Sequence, residues 1–140
     1  MSKVAVVYWS GTGNTAAMAD SVAAGAKGKG AEVSVFPQAD FKPDQVAEFD
    51  AIAFGCPAMG AEVLEDAEFE PMFTSVEGFL KDKRIGLFGS WGWGDGAYMT
   101  DWRSRCVDDG AKLALEPVLC QNTPDDAALA ECKALGEALA

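Results

Sequence analysis

Short β-rich runs alternate with segments of helical period along this chain, and that alternation restricts its fold more than any other feature. Residues 3–9 (KVAVVYW) form a continuous apolar run of β-branched and aromatic residues, the pattern of a strand buried on both faces. The period then changes. Met18, Val22 and Ala26 recur every four residues with Ala19 and Ala23 beside them, which predicts a helix over 15–27 that packs one stripe on a sheet and leaves Asp20 and Lys27 in water. Glycines at 28 and 30 end it.

The alternation continues to the last residue. Strands are predicted at 32–36, 50–55, 84–90 and 113–121, with Pro117 marking an edge or a bulge in the last of them. Helices are predicted at 43–49 (short), 69–80 and 98–109. Pro71 falls near a first turn, Gly78 weakens the second of these, and Gly110 stops the third. In Thr123-Pro124-Asp125-Asp126, Thr123 reads as the cap of a final helix with acids in its first turn. The expected class is α/β: a five-stranded parallel sheet with helices on both faces and right-handed crossovers, in one domain spanning 1–140.

Charge narrows the partners. Eleven Lys plus Arg against 22 Asp plus Glu leave a net −11, which repels a phosphate backbone and steers in basic proteins. Nucleic acid is excluded as a partner on this ground. Cys56, Cys106, Cys120 and Cys132 lie far apart, with no CxxC pair and no His, so no metal site is expected and the thiols read as reduced. Without a signal peptide pattern or an apolar run of about 20 residues, the expectation is a soluble cytoplasmic protein.

Ligands of open parallel sheets sit beyond the carboxyl ends of the strands. That rule selects three loops. The first, Ser10-Gly11-Thr12-Gly13-Asn14-Thr15, offers hydroxyls, an amide and close backbone approach, and it runs into a helix N-terminus that favours an anion. It lacks the Lys of a phosphate-binding GxxxxGK[ST] loop. Gly11-x-Gly13-x-x-Ala16 matches a relaxed dinucleotide fingerprint, but Pro37-Gln38-Ala39 precedes Asp40 where an acid should close the second strand. Hydroxyl-rich chemistry suits a terminal phosphate monoester; a plain glycine turn opening a helix is the alternative.

The loop after the fourth strand, Ser90-Trp91-Gly92-Trp93-Gly94-Asp95-Gly96, sets two indoles among three glycines. One indole can fold into the core, but a planar ligand stacked on the other explains the pair better. The loop after the third strand, Cys56-Pro57-Ala58-Met59-Gly60-Ala61-Glu62, adds a polarizable wall in Met59 and a peptide at Gly60 free to flip, unless it is an ordinary turn.

Taken together, YWSGTGNT at 8–15, GCPAMG at 55–60, VLEDAEFEP at 63–71, LFGSWGWGDG at 87–96 and the ending QNTPDDAALAECKALGEALA resemble the short-chain, clostridial type of flavodoxin over almost the whole chain. The resemblance implies the doubly wound flavodoxin-like sheet in the order 2-1-3-4-5, an uninterrupted fifth strand and non-covalent FMN. Ser10, Gly11, Thr12, Gly13, Asn14 and Thr15 would hold the phosphate. Trp93 and Met59 would cover the two faces of the ring, Gly60 would flip on reduction, and Glu62 would meet the pyrimidine edge. Pro57, Ala58, Ala61, Ser90, Trp91, Gly92 and Gly94 would complete the site. Ala61 and Trp91 depart from the usual residues, Asp or Ser and Tyr.

The implied function is a low-potential one-electron carrier shuttling between neutral semiquinone and hydroquinone, with no substrate of its own, acting as a monomer on redox proteins with basic docking surfaces. Carboxylates at Glu62, Glu65, Asp66, Glu68 and Asp95 would raise the cost of the reduced anion and form the docking face. Two like charges ~10 Å apart at an effective dielectric of ~20 repel by ~1.7 kcal/mol. The alternative is a small FMN-dependent NAD(P)H or quinone oxidoreductase, which needs room for a second substrate beside the ring. A phosphoacceptor receiver domain is excluded, because Gly55-Cys56 and Gln121-Asn122 occupy the places of its Asp and Lys.

Overall fold

The computed structural model describes residues 2–9, 13–58, 64–65, 67–92 and 96–140. The elements follow the expected order: β1 (Lys3–Tyr8), α1 (Asn14–Gly28), β2 (Glu32–Pro37), β3 (Ala51–Gly55), α2 (Phe69–Glu77), β4 (Arg84–Trp91), α3 (Ala97–Asp108), β5 (Lys112–Leu113), β6 (Val118–Gln121) and α4 (Asp126–Leu139). The short helix expected at 43–49 is a 3-10 turn, Pro43–Glu48, preceded by another at Gln38–Asp40.

Every pairing is parallel and the order is β2-β1-β3-β4-β5, with β6 also on β4. The fifth position is therefore filled by two segments, not by the single strand expected at 113–121. Between Ile85 and Phe88 β4 advances three residues, while its partner advances five, from Leu113 to Val118. The surplus is looped out around Pro117, which has no N–H for the ladder, and it leaves Leu115 exposed.

Period-2 alternation splits the core into two layers. Val4, Val6, Ala51, Ala53 and Phe88 face α1 and α4, whereas Ala5, Val7, Ile52, Phe54, Ile85 and Leu87 face α2, α3 and the 3-10 turns. The predicted stripe of Met18, Ala19, Val22, Ala23 and Ala26 is buried in the first layer. There α1 and α4 touch backbone to backbone. A Cβ at Gly25 would stand 2.0 Å from the Lys133 carbonyl oxygen, and one at Gly136 1.9 Å from that of Val22. The cap of α4 differs from expectation: Asp125, two residues after Thr123, accepts the Ala128 N–H at 2.8 Å. A carboxylate there also meets the positive end of the helix.

In the second layer an aromatic cluster joins α2 to α3, with Trp102 edge-on to Phe69 and Phe73. Arg105 lies over the Phe73 ring and pairs with Glu70 and Glu77, each at 2.7 Å. Its guanidinium holds both carboxyls below the usual range. Asp109 is affected in the opposite direction. Burial, then the Glu77 carboxylate facing it, push its carboxyl up to about 6, and among the described residues its Oδ2 is buried without a donor. A raised acid pKa means that the folded chain binds this proton more tightly than the unfolded one, so stability is lost as pH rises from the ordinary aspartate range through about 6. Asp109→Asn should stabilise the protein by about 1 kcal/mol near pH 8 and leave it unchanged near pH 4, read from urea midpoints at the two pH values.

Candidate functional site

Because all strands are parallel, their carboxyl ends share one edge, and the described parts of the three loops meet there. Trp9 N–H donates to Gly55 O at 3.0 Å, Cys56 N–H to Phe88 O at 3.2 Å, and Ala58 N–H to Ser90 O at 2.9 Å. These bonds extend the β1-β3-β4 ladder past its last registered pairs and bring the loop roots side by side. The loop after β6 joins them through Asn122 N–H, which donates to Trp91 O at 2.7 Å.

In the first loop, Gly13 is the N-cap of α1 with φ 93°, a left-handed conformation costly for any residue with a Cβ. The first turn also carries no acid. Asn14 opens the helix half-buried. Thr15 beside it is 1% exposed, and among the described residues its Oγ1 has no hydrogen-bond partner. A desolvated hydroxyl at a helix N-terminus calls for a strong acceptor from outside the chain. Ser10, Gly11 and Thr12 lie outside the described residues.

At the root of the second loop Cys56 is fully buried, and burial pushes its thiol up to about 12, so it stays protonated and unreactive. Cys106 and Cys132 are buried too, Cys120 is half-buried, and all four are free thiols. Pro57 and Ala58 are half-buried at the sheet edge. Met59, Gly60, Ala61 and Glu62 lie outside the described residues, as does Asp66.

Glu65 has a different role from the one expected of an acid in a docking face. It is 7% exposed, and its carboxylate accepts N–H bonds from Ala67, Glu68 and Phe69 at 3.0, 2.7 and 2.8 Å. It caps α2 from below the surface. Its own N–H donates to Cys56 Sγ at 3.4 Å, which ties the end of the loop back to its beginning. Glu68 does remain exposed, held by Gln38 Nε2 at 3.1 Å.

In the third loop, Ser90 is 5% exposed with its carbonyl committed to Ala58, and Trp91 is half-buried against the core. The Trp91 indole thus folds back onto the core. Gly92 is exposed, and a Cβ there would lie 3.3 Å from Asn122 Oδ1. Trp93, Gly94 and Asp95 lie outside the described residues. Two residues at this edge escaped the sequence reading, Asn122 and Tyr98. Asn122 carried a usable signal, since it follows the last strand at its carboxyl end. Tyr98 carried none, because a buried tyrosine in a helical stripe reads as packing.

The family model described as Flavodoxin matches residues 6–136. The chain belongs to the flavodoxin family. It is 49% identical to the flavodoxin of Megasphaera elsdenii over 137 residues, covering 98% of each chain. It is 42% identical to that of Clostridium beijerinckii over 122 residues, covering 87% of this chain and 88% of that one. The solution structure of two-electron reduced Megasphaera elsdenii flavodoxin superimposes with a TM-score of 0.89 at 48% identity over 97% of both chains. Flavodoxins are electron carriers that bind FMN, so this chain is an FMN-dependent electron-transfer protein and not an enzyme, and the oxidoreductase alternative is not favoured. The described residues suit the cofactor: the Thr15 hydroxyl is buried and, among the described residues, has no hydrogen-bond partner, and the first turn of α1 carries no acid to repel a phosphate. As a redox carrier it has redox partners, and no helix among the described residues is long and apolar enough to cross a membrane.

Proposed function

We propose that this flavodoxin holds FMN with the residues expected from its sequence, as one cytoplasmic, monomeric domain. Ser10, Gly11, Thr12, Gly13, Asn14 and Thr15 take the phosphate. Pro57, Ala58, Met59, Gly60, Ala61 and Glu62 line one side of the ring, and Ser90, Trp91, Gly92, Trp93 and Gly94 the other. The observation that carries this reading is Thr15, whose buried hydroxyl is without a partner among the described residues at the mouth of α1.

Bound FMN supplies low-potential one-electron transfer, and the chain determines how favourable that transfer is. No Lys or Arg stands in residues 10–15, so the phosphate keeps its charge while neutral donors hold it. Glu62, Asp66, Glu68 and Asp95, in the segments that follow the third and fourth strands, add negative charge and disfavour a further electron. The same carboxylates steer redox partners whose docking surfaces are basic.

Anaerobic reductive titration of purified protein tests the reading. Yellow protein with one FMN per chain, passing through a one-electron-reduced state before full reduction, is the expected result. A colourless chain that rejects added FMN would sink it. Trp93→Ala should loosen FMN about tenfold if the indole stacks on the ring, as read from the quenching of FMN fluorescence on binding.

A further inference from the structure

Tyr98 stands in the first turn of α3 and is 2% exposed. Its hydroxyl donates to the carbonyl oxygen of Cys56 at 2.9 Å, and the carbonyl oxygen of Ser90 lies 3.5 Å away. These carbonyls are the roots of two loops: Cys56 is the first residue after β3, and Ser90 is the penultimate residue of β4. The Ser90 oxygen accepts the Ala58 N–H, so the hydroxyl bonded to Cys56 O sits beside both loop roots and ties the first of them to the helix that follows the second.

The sequence makes room for this contact. A Cβ at Gly89 would fall 2.2 Å from the Cys56 oxygen and 2.2 Å from the Tyr98 hydroxyl, so any side chain there would break the arrangement. Packing does not require the hydroxyl. A phenylalanine would fill the same apolar volume in the buried cluster that includes Met99 and Trp102 without burying a polar group, and a buried hydroxyl costs free energy unless it is bonded.

We propose that Tyr98 is a positioning residue for the flavin ring, whose hydroxyl sets the separation of the loops rooted at Cys56 and Ser90. It acts through those loops, which carry the groups assigned to opposite faces of the ring. The proposal rests on that assignment.

Tyr98→Phe in the FMN-loaded protein tests it. Loss of one hydrogen bond is a small part of a domain's stability, so the variant folds. FMN and riboflavin should both bind about fivefold more weakly. Riboflavin has the ring and no phosphate, so an equal factor locates the effect at the ring. The midpoint potentials of the two one-electron steps should shift relative to each other, and the Ala58 amide should exchange faster with solvent. Trp93→Ala, measured in parallel, tests the loop assignment separately. If Trp93→Ala leaves both affinities unchanged, the assignment and the proposal fall together. If it loosens both flavins while Tyr98→Phe keeps wild-type affinities and potentials, the proposal alone is overturned, whatever happens to the urea midpoint.

Discussion

Thr15→Val is expected to weaken FMN binding about 10- to 100-fold, the range for losing a charge-assisted hydrogen bond, while leaving the apoprotein as stable as before or slightly more so. The two effects have opposite signs for one reason. The Thr15 hydroxyl is buried and, among the described residues, lacks a partner. The folded chain therefore bears its desolvation cost, and on the proposed assignment a phosphate oxygen would gain from it. Valine keeps the shape and removes both. Riboflavin, which has no phosphate, should bind the variant and the parent equally. Fluorescence titration with the two flavins and urea denaturation of the apoprotein supply the three readouts. Equal weakening of FMN and riboflavin would show that the substitution deforms the site and would remove Thr15 from the phosphate cradle.

Glu65→Ala is expected to destabilise the protein by about 3 kcal/mol, because the N–H groups of Ala67, Glu68 and Phe69, which lead into α2, lose a charged acceptor, two of those bonds being partly buried and the third buried. The effect has a defined pH dependence. Burial opposes the charge, but the N–H bonds from Phe69, Glu68 and Ala67 outweigh it and hold the carboxyl below the ordinary glutamate range. A depressed acid contributes stability that is complete above its unfolded pKa near 4.5 and is lost as pH falls through its folded value. The gap between parent and variant should therefore be full at neutral pH and close in strong acid. Thermal unfolding across that range measures it, and a gap that does not narrow would mean that Glu65 acts through packing. Because Glu65 N–H also reaches Cys56 Sγ, the segment between these two residues should loosen together with α2.

Much of this molecule is legible before any coordinate. Apolar runs with β-branched residues located the strands, and the four-residue recurrence of Met18, Val22 and Ala26 located the buried face of α1, because backbone geometry imposes those periods on any chain that buries one side. Parallel connectivity sends the carboxyl ends of all the strands to one edge, which is why SGTGNT, CPAMGAE and SWGWGDG could be singled out together. The missing cation in the first loop, the acidic surplus and the glycine at the helix mouth were equally plain, since each is a local property of residue type.

Other features depend on which residues distant in the chain come within hydrogen-bond reach. Glu65 reads as one more surface acid in VLEDAEFEP until the chain turns and places its oxygens on the first amides of α2. Tyr98 reads as core until Gly89 brings the Cys56 carbonyl to its hydroxyl, across 42 residues. The last strand reads as one strand with an edge or a bulge at Pro117, and only its register against β4 shows that the chain loops out there and divides it in two. Local periodicity specifies elements and faces because it depends on the residue and its near neighbours alone. Hydrogen bonds between loop roots depend on ångström-scale distances between separate elements, which are established only when the two core layers pack on the sheet.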